Sequence, residues 1–556
     1  MIVLLCFIFC LIVMGWAFVF KKILNSSFSV GLFNAIAFLS ITIFYGFFSA
    51  APAWLAASLL ASGFSIFLIA LLGKLSQKPF DKEDALSIAC FLLLAVISFA
   101  ITLGLKFRSI DDFSYWGVIS KYLFVFNRLP TSDNYIHANF LSYVPGMAGF
   151  HYLLFRLANQ YSQHLGYFAQ SLIFIAALLI VFEPKRLLRS ILYLCIFEIV
   201  FSFSYGSVFA RMEVDAYVAA YLFAICWLIY KKEATKEVFL PIVFLSLMKE
   251  IGLFFAFLAI SLLLVRKKSR KTVVIAVAAT LAVLGNKLLW QHYIQAQHFH
   301  SFAPQLSLHS ASLVFNPFNS YYQPAQWLYL KAILLANFDY LLKLPYLAIY
   351  IILFGLAYRL SQDVNSKKNI RNLMAVFTLF AAIYLLMLFA LEAIAFDLGH
   401  STIEVLSFHR YFNMLCLPWL CMLIFLTLDS VPEDTFQRRG KALSVISLGL
   451  SLLFLIAGRI EREHRFYHPH QLYELKEIIN NEIAQATKPL WTLCLVNPPK
   501  PEFQLLMPLK YFFMPNPIVA TATEKATDCD FVLAWPDPSH AGEVRFLSQL
   551  SSPKSH

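Results

Sequence analysis

Residues 86–116 read LSIACFLLLAVISFAITLGLKFRSIDDFSYW and join an apolar run to a pair of carboxylates. The run at 86–105 is long enough for a membrane-spanning helix, which needs about 20 apolar residues. Asp111 and Asp112 follow it and are therefore expected where lipid headgroups meet water. Ionisable groups at that depth favour a functional site. In the alternative interpretation, Asp111 only caps the helix that follows it.

The composition is that of a membrane protein. Of the 556 residues, 60% are hydrophobic and 14% are charged, and the mean hydropathy is +0.69. A soluble domain carries roughly 25% charged residues. The net charge of +12 lies mostly in short loops, which is typical of membrane topology and not of a nucleic-acid-binding surface. We predict a polytopic α-helical protein whose partner is the lipid bilayer, and no nucleic-acid partner.

About 12 apolar runs are long enough to span a bilayer. They lie at 1–20, 28–49, 54–73, 86–105, 166–182, 187–206, 213–230, 272–290, 341–360, 371–394, 411–428 and 441–459. The first run has no basic residue before it and is followed by Lys21-Lys22, the reverse of the charge order in a cleaved signal peptide. We therefore expect a retained first helix with its N-terminus outside.

The basic residues predict which loops share a side of the membrane. They cluster at Lys21-Lys22, Lys74 to Lys82, Lys185 to Arg189, Lys231 to Lys236, Arg266 to Lys271, Lys367 to Arg371 and Arg438 to Lys441. All of these are cytoplasmic only if residues 238–265 enter and leave on one face. Met248-Lys249-Glu250 would form the turn of this broken hairpin, inside protein or a watery cavity. A single tilted span is the alternative, and it would place Arg266 outside.

The outer loop at 106–165 contains two amphipathic patterns, which predict helices lying in the plane of the membrane interface. The patterns are Phe113, Trp116, Ile119, Leu123 and Phe126, and then Met147, Phe150, Leu153, Leu154 and Leu157. Two further outer segments carry charges, at Arg211, Glu213 and Asp215 and at His409-Arg410. For Arg211 the simpler interpretation is a side chain that reaches from a helix end to water.

The C-terminal part, 461–556, is polar and rich in proline. Short apolar runs at 490–496, 518–522 and 530–535 predict strands, and 471–487 predicts a helix. We predict a membrane domain at 1–460 and a small α/β domain at 461–556 outside the membrane. Cys494 and Cys529 adjoin two of the strands, and an oxidising compartment would permit a disulfide between them.

Four short motifs carry a family resemblance. They are Asp111-Asp112-Phe113-Ser114-Tyr115-Trp116, Tyr143-Val144-Pro145-Gly146-Met147-Ala148-Gly149-Phe150, Leu247-Met248-Lys249-Glu250-Ile251-Gly252 and Ser407-Phe408-His409-Arg410-Tyr411. Together with the spans, they make the chain resemble the GT-C superfamily of integral-membrane glycosyltransferases, which use sugars carried on a polyprenyl phosphate. In many members the acidic motif follows the first span, whereas here it follows the fourth.

The resemblance implies a GT-C-like fold and an inverting hexosyl- or pentosyltransferase. Asp111 would be the general base that takes a proton from the acceptor hydroxyl. Asp112 would point roughly 100° away on a helix and orient the acceptor or a neighbouring helix. Arg410 would bind two oxygens of the donor phosphate, with His409 and Lys249 as secondary candidates.

Further candidates for the site are Glu250, Arg211 and Asp215. The sequence requires no cofactor, although some members of the superfamily use a divalent metal such as Mg²⁺, Mn²⁺ or Ca²⁺ near the acidic motif. The histidines at 292, 298, 300 and 309 lack compact ligand spacing, and we interpret them as interfacial residues. No metal ligand is therefore assigned.

The resemblance implies two substrates: a polyprenyl-phosphate sugar as donor, and a lipid-linked glycan, a glycolipid or a protein as acceptor. We expect a multi-pass protein of a bacterial inner membrane, with both termini outside and the active site facing the periplasm. The alternatives are a transporter or flippase for a lipid-linked glycan, and a glycan ligase or polymerase. A transporter predicts polar residues along a path through both leaflets, whereas the candidates here concentrate on one side.

Overall fold

The computed structural model describes most of the chain. The described residues are 1–49, 51–72, 82–109, 111–132, 141–231, 234–299, 308–335, 337–338, 342–361, 364–395, 408–464, 475–477, 479–481, 492–496, 502–514, 516, 518–521, 529–534 and 545–548. Helices dominate this part of the chain, and two small sheets lie in its C-terminal half.

The long helices within these ranges follow the predicted apolar runs, and several shorter helices lie between or after them. They are α1 (Ile2–Leu24), α2 (Phe28–Gly46), α3 (Pro52–Leu71), α4 (Lys82–Thr102), α5 (Gly117–Phe126), α6 (Gly146–Ala158), α7 (Gln163–Leu178), α8 (Leu187–Tyr205), α9 (Asp215–Lys231), α10 (Phe239–Met248), α11 (Gly252–Arg266), α12 (Arg270–Ala296), α13 (Leu308–Phe315), α14 (Gln323–Leu335), α15 (Tyr346–Leu360), α16 (Val364–Ala395), α17 (Phe408–Asp429), α18 (Glu433–His464) and α19 (Glu502–Phe513).

Ten helical segments of the described chain are long and apolar enough to cross a membrane. The prediction of a polytopic helical membrane protein is therefore confirmed. The runs predicted at 213–230 and 341–360 form α9 and α15, which are shorter than those ten at 17 and 15 residues.

Loops carrying basic clusters meet at one end of the helix bundle, which we call the basic face. Their contacts are Lys21 with Asp84, Lys185 with Glu83 at 3.1 Å, Arg186 with Asp429 at 3.2 Å, Lys231 with Asp429, and Lys236 Nζ with the Ile23 carbonyl oxygen at 3.1 Å. These contacts join loops that are far apart in sequence, so the clusters at Lys21, Lys185-Arg186, Lys231 and Lys236 lie on one face, as the charge pattern predicts.

The chain reverses at Lys249. The residue is extended, with φ −159° and ψ 157°, between the end of α10 and the start of α11. A Cβ built on Gly252 would lie 2.0 Å from the Leu245 carbonyl oxygen. In one continuous helix, residues seven apart would be separated by about 10 Å along the axis. The segment is therefore a broken hairpin, and the single tilted span is excluded.

The outer loop after α4 differs partly from the prediction. Residues Asp112–Trp116 form one turn of π-helix, which continues into α5. Helix α6 is not an interfacial helix on the surface, because its residues from Gly146 to Phe155 are buried. Phe150 packs on Phe9 of α1 with ring centroids 5.3 Å apart. The small residues at the start of α6 let it approach neighbouring helices closely, which the amphipathic pattern alone did not indicate.

The C-terminal part contains a four-stranded sheet. Its strands are β3 (Leu493–Val496), β4 (Ile518–Thr521), β5 (Phe531–Ala534) and β6 (Arg545–Ser548), in the order β4-β3-β5-β6. Strand β3 is parallel to both β4 and β5, and β6 is antiparallel to β5. A shorter antiparallel pair, β1 (Asn337–Phe338) and β2 (Leu342–Pro345), lies earlier in the chain. Strands β3 to β5 occupy the predicted positions, whereas α19 and β6 were not predicted.

Two residues of the C-terminal part form the disulfide that the sequence analysis considered possible in an oxidising compartment. Cys494 in β3 is bonded to Cys529, which precedes β5, and their Cα atoms are 5.9 Å apart. Of the predicted helix at 471–487, the described residues 475–477 and 479–481 are helical.

Helix α19 packs against the outer loop that contains the two aspartates. Lys121 Nζ of α5 donates hydrogen bonds to the carbonyl oxygens of Tyr511 and Phe512, at 2.5 and 3.1 Å. Gln163 Nε2 donates to the Tyr511 hydroxyl at 2.9 Å, and the Tyr511 ring lies 5.4 Å from that of Phe113. The helix thus packs on both this loop and the start of α7.

Candidate functional site

Arg410 joins residues from three distant parts of the chain. Its Nη1 donates a hydrogen bond to Asp111 Oδ2 at 2.7 Å, although the two residues are 299 positions apart. Its Nε lies 3.0 Å from Asp215 Oδ2, and Lys249 Nζ donates to Asp215 Oδ1 at 2.5 Å. We call Asp111, Asp215, Lys249 and Arg410, with the neighbouring Arg211 and Glu213, the ion cluster.

The cluster forms where helices begin or break. Asp215 is the first residue of α9, where the partial positive charge of the helix N-terminus favours a carboxylate. Arg410 lies in the first turn of α17, where the same partial charge disfavours a cation. The two carboxylates offset this effect. Lys249 reaches the cluster because the hairpin breaks there and leaves its backbone extended.

Aromatic groups hold the two cations. The Tyr411 ring centroid lies 4.9 Å from Lys249 Nζ and 5.2 Å from the Arg410 guanidinium carbon, within the range of cation–π attraction. The hydroxyl of Tyr384 donates to the Tyr411 carbonyl oxygen at 2.8 Å, and that of Tyr205 donates to the Arg410 carbonyl oxygen at 3.3 Å. The start of α17 is therefore fixed by hydrogen bonds from α16 and α8.

The Asp111 carboxylate lies between the Arg410 guanidinium and the Glu213 side chain. With 31% of its side chain exposed, it is enclosed enough for burial to raise the pKa of its carboxyl to about 6. The charge of Glu213 and a hydrogen bond with that side chain also raise this pKa, while Arg410 lowers it. Asp111 is thus a carboxylate that can exchange a proton near neutral pH.

Arg211 and Glu213 form a further ion pair of the cluster. Arg211 Nη1 lies 3.2 Å from Glu213 Oε2, and both side chains remain partly exposed. The interpretation of Arg211 as a side chain that only reaches water does not describe this pairing. Sequence reasoning noted Glu213 within a charged segment but did not select it as a site residue, and its adjacency to Arg211 and Asp215 was the available signal.

Tyr143 is a neighbour of the cluster. It opens the second of the four sequence motifs, but no role in the site was predicted for it. Burial raises the pKa of its hydroxyl, and the charges of Tyr411, Glu250 and Asp215 raise it further, while Arg410 lowers it. Its ring stacks on Trp116 with centroids 5.7 Å apart. The Tyr-Val-Pro-Gly sequence places this ring between the acidic motif and the hairpin break.

Asp112 lies outside the ion cluster. It is 0% exposed, and its Oδ2 accepts hydrogen bonds from the backbone N–H groups of Arg108 and Ser109 and from the Tyr167 hydroxyl, each at 3.1 Å. These bonds fix the loop that leads into the π-helical turn. The adjacent aspartates thus occupy different environments, and the contacts of Asp112 are those of a residue that positions the loop.

The remaining candidates are only partly described. Glu250 faces α12, where its Oε1 lies 3.5 Å from Lys287 Nζ. His409 belongs to the first turn of α17, but its side chain lies outside the described residues, as do residue 300 and the side chain of His309. In the part of the chain that the structure describes, no three His, Cys, Asp or Glu side chains form a group that could hold a metal ion.

The charges of the cluster balance, with three carboxylates facing three cations. The buried Nε of Arg410 lies 3.0 Å from Asp215 Oδ2, which is an ion-pair distance, although the contact lacks hydrogen-bond geometry.

Comparisons with family models, with curated proteins and with solved structures find no match for this chain.

Proposed function

We propose that the protein is a glycosyltransferase that moves a sugar from a polyprenyl phosphate to an acceptor hydroxyl. The observation that supports this proposal is the contact between Asp111 and Arg410. A carboxylate that can take a proton and a guanidinium that can bind a phosphate are the two groups that such a transfer needs. Residues 1–460 form its catalytic membrane domain.

The chemistry balances in one inverting step. The acceptor oxygen forms a bond to the anomeric carbon while the bond from that carbon to the phosphate oxygen breaks. Asp111 takes the acceptor's proton and becomes neutral, and the lipid phosphate leaves with one additional negative charge. The net charge of the cluster and its substrates is therefore unchanged across the step. No charge has to enter from water.

Arg410 and Lys249 are the groups that favour the leaving phosphate. The guanidinium offers two donors, Nη1, which now pairs with Asp111, and Nε, which lies beside Asp215. Binding of phosphate to Nη1 would release Asp111 from its ion pair and make it available to the acceptor. Lys249 adds a second cation, held in place by Asp215 and Tyr411.

We further propose that the site faces the periplasm of a bacterium. The ion cluster lies at the end of the bundle opposite the basic face, and basic loops are retained in the cytoplasm. The disulfide between Cys494 and Cys529 fits the same side, because such bonds persist in oxidising compartments. The C-terminal residues 461–556 would then form an α/β domain above the catalytic site.

The alternative of a transporter or flippase receives less support. It predicts charged groups along a path through the membrane, whereas the ion cluster lies at one end of the bundle. Glu198 does lie within the bundle, but the hydroxyls of Ser202 and Ser451 donate to it at 2.6 and 2.7 Å. These bonds join α8 to α18 and account for its burial.

The first experiment replaces the proposed base. Purified protein is incubated with a panel of radiolabelled polyprenyl-phosphate sugars and an envelope extract as acceptor. Asp111→Asn should lower the transfer rate by about 10²–10⁴-fold, the usual contribution of a general base. The matched control is Glu83→Gln, which removes a half-exposed carboxylate on the basic face and should leave the rate unchanged. Wild-type rates in the Asp111→Asn variant would disprove the assignment.

The second experiment separates donor binding from chemistry. Binding of polyprenyl phosphate, the released product, is measured by thermal shift with wild type, Arg410→Ala and Arg410→Lys. Both variants should bind more weakly, and Ala more so, because Lys keeps the charge but loses the planar pair of donors. Equal binding by all three proteins would remove Arg410 from the donor site.

A further inference from the structure

A cavity of about 380 Å³ opens on the basic face, far from the ion cluster. It lies where the turn between α1 and α2, the segment before α10 and the loop between α11 and α12 meet. Its lining includes Lys236, Lys267 and Lys271 from two of these segments. The cavity is therefore at the end of the first two membrane-spanning helices, at the depth of lipid headgroups.

The charges around the cavity favour an anion. Three lysines line it, and the carboxylate on its wall is Glu237. Glu237 Oε2 already accepts the backbone N–H of Thr235 at 2.8 Å. Lys236 is held at the rim by its bond to the Ile23 carbonyl oxygen. The positive charge is thus fixed on two sides of a concave surface instead of being spread over open loops.

The wall formed by the α1–α2 turn supplies hydrogen-bond donors. Ser26 and Ser27 of this turn both line the cavity. Ser27 precedes α2 but makes no side-chain bond to the N–H groups of its first turn. By contrast, Ser269 on the opposite wall caps α12 by accepting the Thr272 N–H at 3.1 Å.

We propose that this cavity binds a phosphate group, supplied by the headgroup of an anionic phospholipid. Hydroxyl groups, ammonium groups and helix N–H groups are together the usual ligands of phosphate. Basic pockets between membrane-spanning helices take anionic lipid headgroups for the same reason. A lipid bound here would contact all three segments and add to the bond that Lys236 makes to Ile23.

The loop between α11 and α12 provides a matched pair of variants for the test. Lys267 and Lys271 line the cavity, whereas Lys268 and Arg270, which are also exposed, do not. The double variants K267Q/K271Q and K268Q/R270Q therefore remove the same charge from the same loop. The full-length protein in neutral detergent is titrated with short-chain phosphatidylglycerol, short-chain phosphatidylcholine or inorganic phosphate, and bound lipid and melting temperature are recorded.

We expect saturable binding and thermal protection by phosphatidylglycerol, but not by phosphatidylcholine. K267Q/K271Q should weaken this binding by roughly 30-fold, given the usual contribution of each lysine near an anionic surface. K268Q/R270Q should bind as wild type does. Protection by inorganic phosphate that is sensitive to the first pair alone would support the phosphate site and overturn the lipid source. Equal weakening by both pairs, or no saturable binding, would overturn the site.

Discussion

At the scale of single residues, the adjacent Asp111 and Asp112 are separated by their environments. Asp111 pairs with Arg410 and keeps part of its side chain exposed, whereas Asp112 is buried among hydrogen-bond donors of its own loop. The two carboxyls therefore respond differently to pH and to substitution. Two predictions follow from this difference.

The first concerns the pH dependence of the proposed transfer. A general base must be ionised, and burial and Glu213 raise the pKa of Asp111 to about 6. The rate at limiting substrate should therefore fall as pH decreases through 6 and be constant above it. Glu213→Gln removes the neighbouring negative charge and should move the midpoint to lower pH. The measurement is kcat/KM between pH 4.5 and 8.

The control for this series is Glu250→Gln. Glu250 is the same residue type near the site, but it pairs with Lys287, and its charge is not among those acting on Asp111. Its substitution should leave the midpoint unchanged. A midpoint that Glu213→Gln does not move, or that moves equally in both variants, would contradict the electrostatic coupling of Asp111 to Glu213.

The second prediction concerns stability. Asp112→Ala leaves the N–H groups of Arg108 and Ser109 and the Tyr167 hydroxyl without their acceptor, and should lower the free energy of unfolding by about 1–3 kcal/mol. Tyr167→Phe removes one of the three bonds and should cost less. Thermal unfolding measures both. A variant of Asp112 that is as stable as wild type would contradict the proposed role in fixing the loop.

At the scale of elements, the site depends on how the hairpin breaks. The sequence predicts the break, because basic residues flank 238–265 on both sides and a charged pair lies in its middle. It does not predict that Lys249 would face Asp215 and Tyr411, since that depends on the close packing of α10 against α11. Helix α6 shows the same limit: its apolar spacing predicts a helix but not its burial among the spans.

The break can be tested at Gly252. A Cβ there would lie 2.0 Å from the Leu245 carbonyl oxygen, so Gly252→Ala must shift the backbone of one arm. We expect a loss of about 1–3 kcal/mol of stability, typical of overpacking, and weaker product binding because Lys249 moves. The control is Gly285→Ala in α12, where a Cβ meets nothing within 4 Å. It should be neutral or stabilising by up to about 1 kcal/mol.

Thermal melting of both variants, with and without polyprenyl phosphate, provides the measurement. If Gly252→Ala has the same melting temperature as Gly285→Ala, helices α10 and α11 are not in close contact at Gly252. A Cβ built on Gly146, at the start of α6, would lie 2.3 Å from the Leu247 carbonyl oxygen. Substitution there should have the same sign for the same reason.

At the scale of the whole molecule, two ends of the bundle have different chemistry. One end carries salt-bridged basic loops, and the other carries the ion cluster and α19. The sequence predicted the helical class and most spans, because hydropathy and charge are local properties. The expectation that Asp111 and Arg410 act at one site came instead from the family resemblance of their motifs. The sequence did not predict the interaction of Glu213 with Asp111 or the packing of α19, since these are set by contacts between distant segments.

The arrangement of the two ends can be tested by labelling single cysteines in membranes. Lys185→Cys and Lys268→Cys lie on the basic face, whereas Lys106→Cys and Gln295→Cys lie near the opposite end, and all four positions are exposed. A membrane-impermeant maleimide should label the first two from one side and the last two from the other. The described free cysteines are buried or partly buried, so background labelling of the unsubstituted chain should be low.

If residues 238–265 crossed the membrane once, Lys268→Cys would be labelled from the same side as Lys106→Cys, and Gln295→Cys from the same side as Lys185→Cys. That exchange would place Arg410 and Asp111 on opposite sides of the membrane, because the segments after the hairpin would be inverted. The contact between the two residues, and the transfer chemistry proposed from it, requires the hairpin.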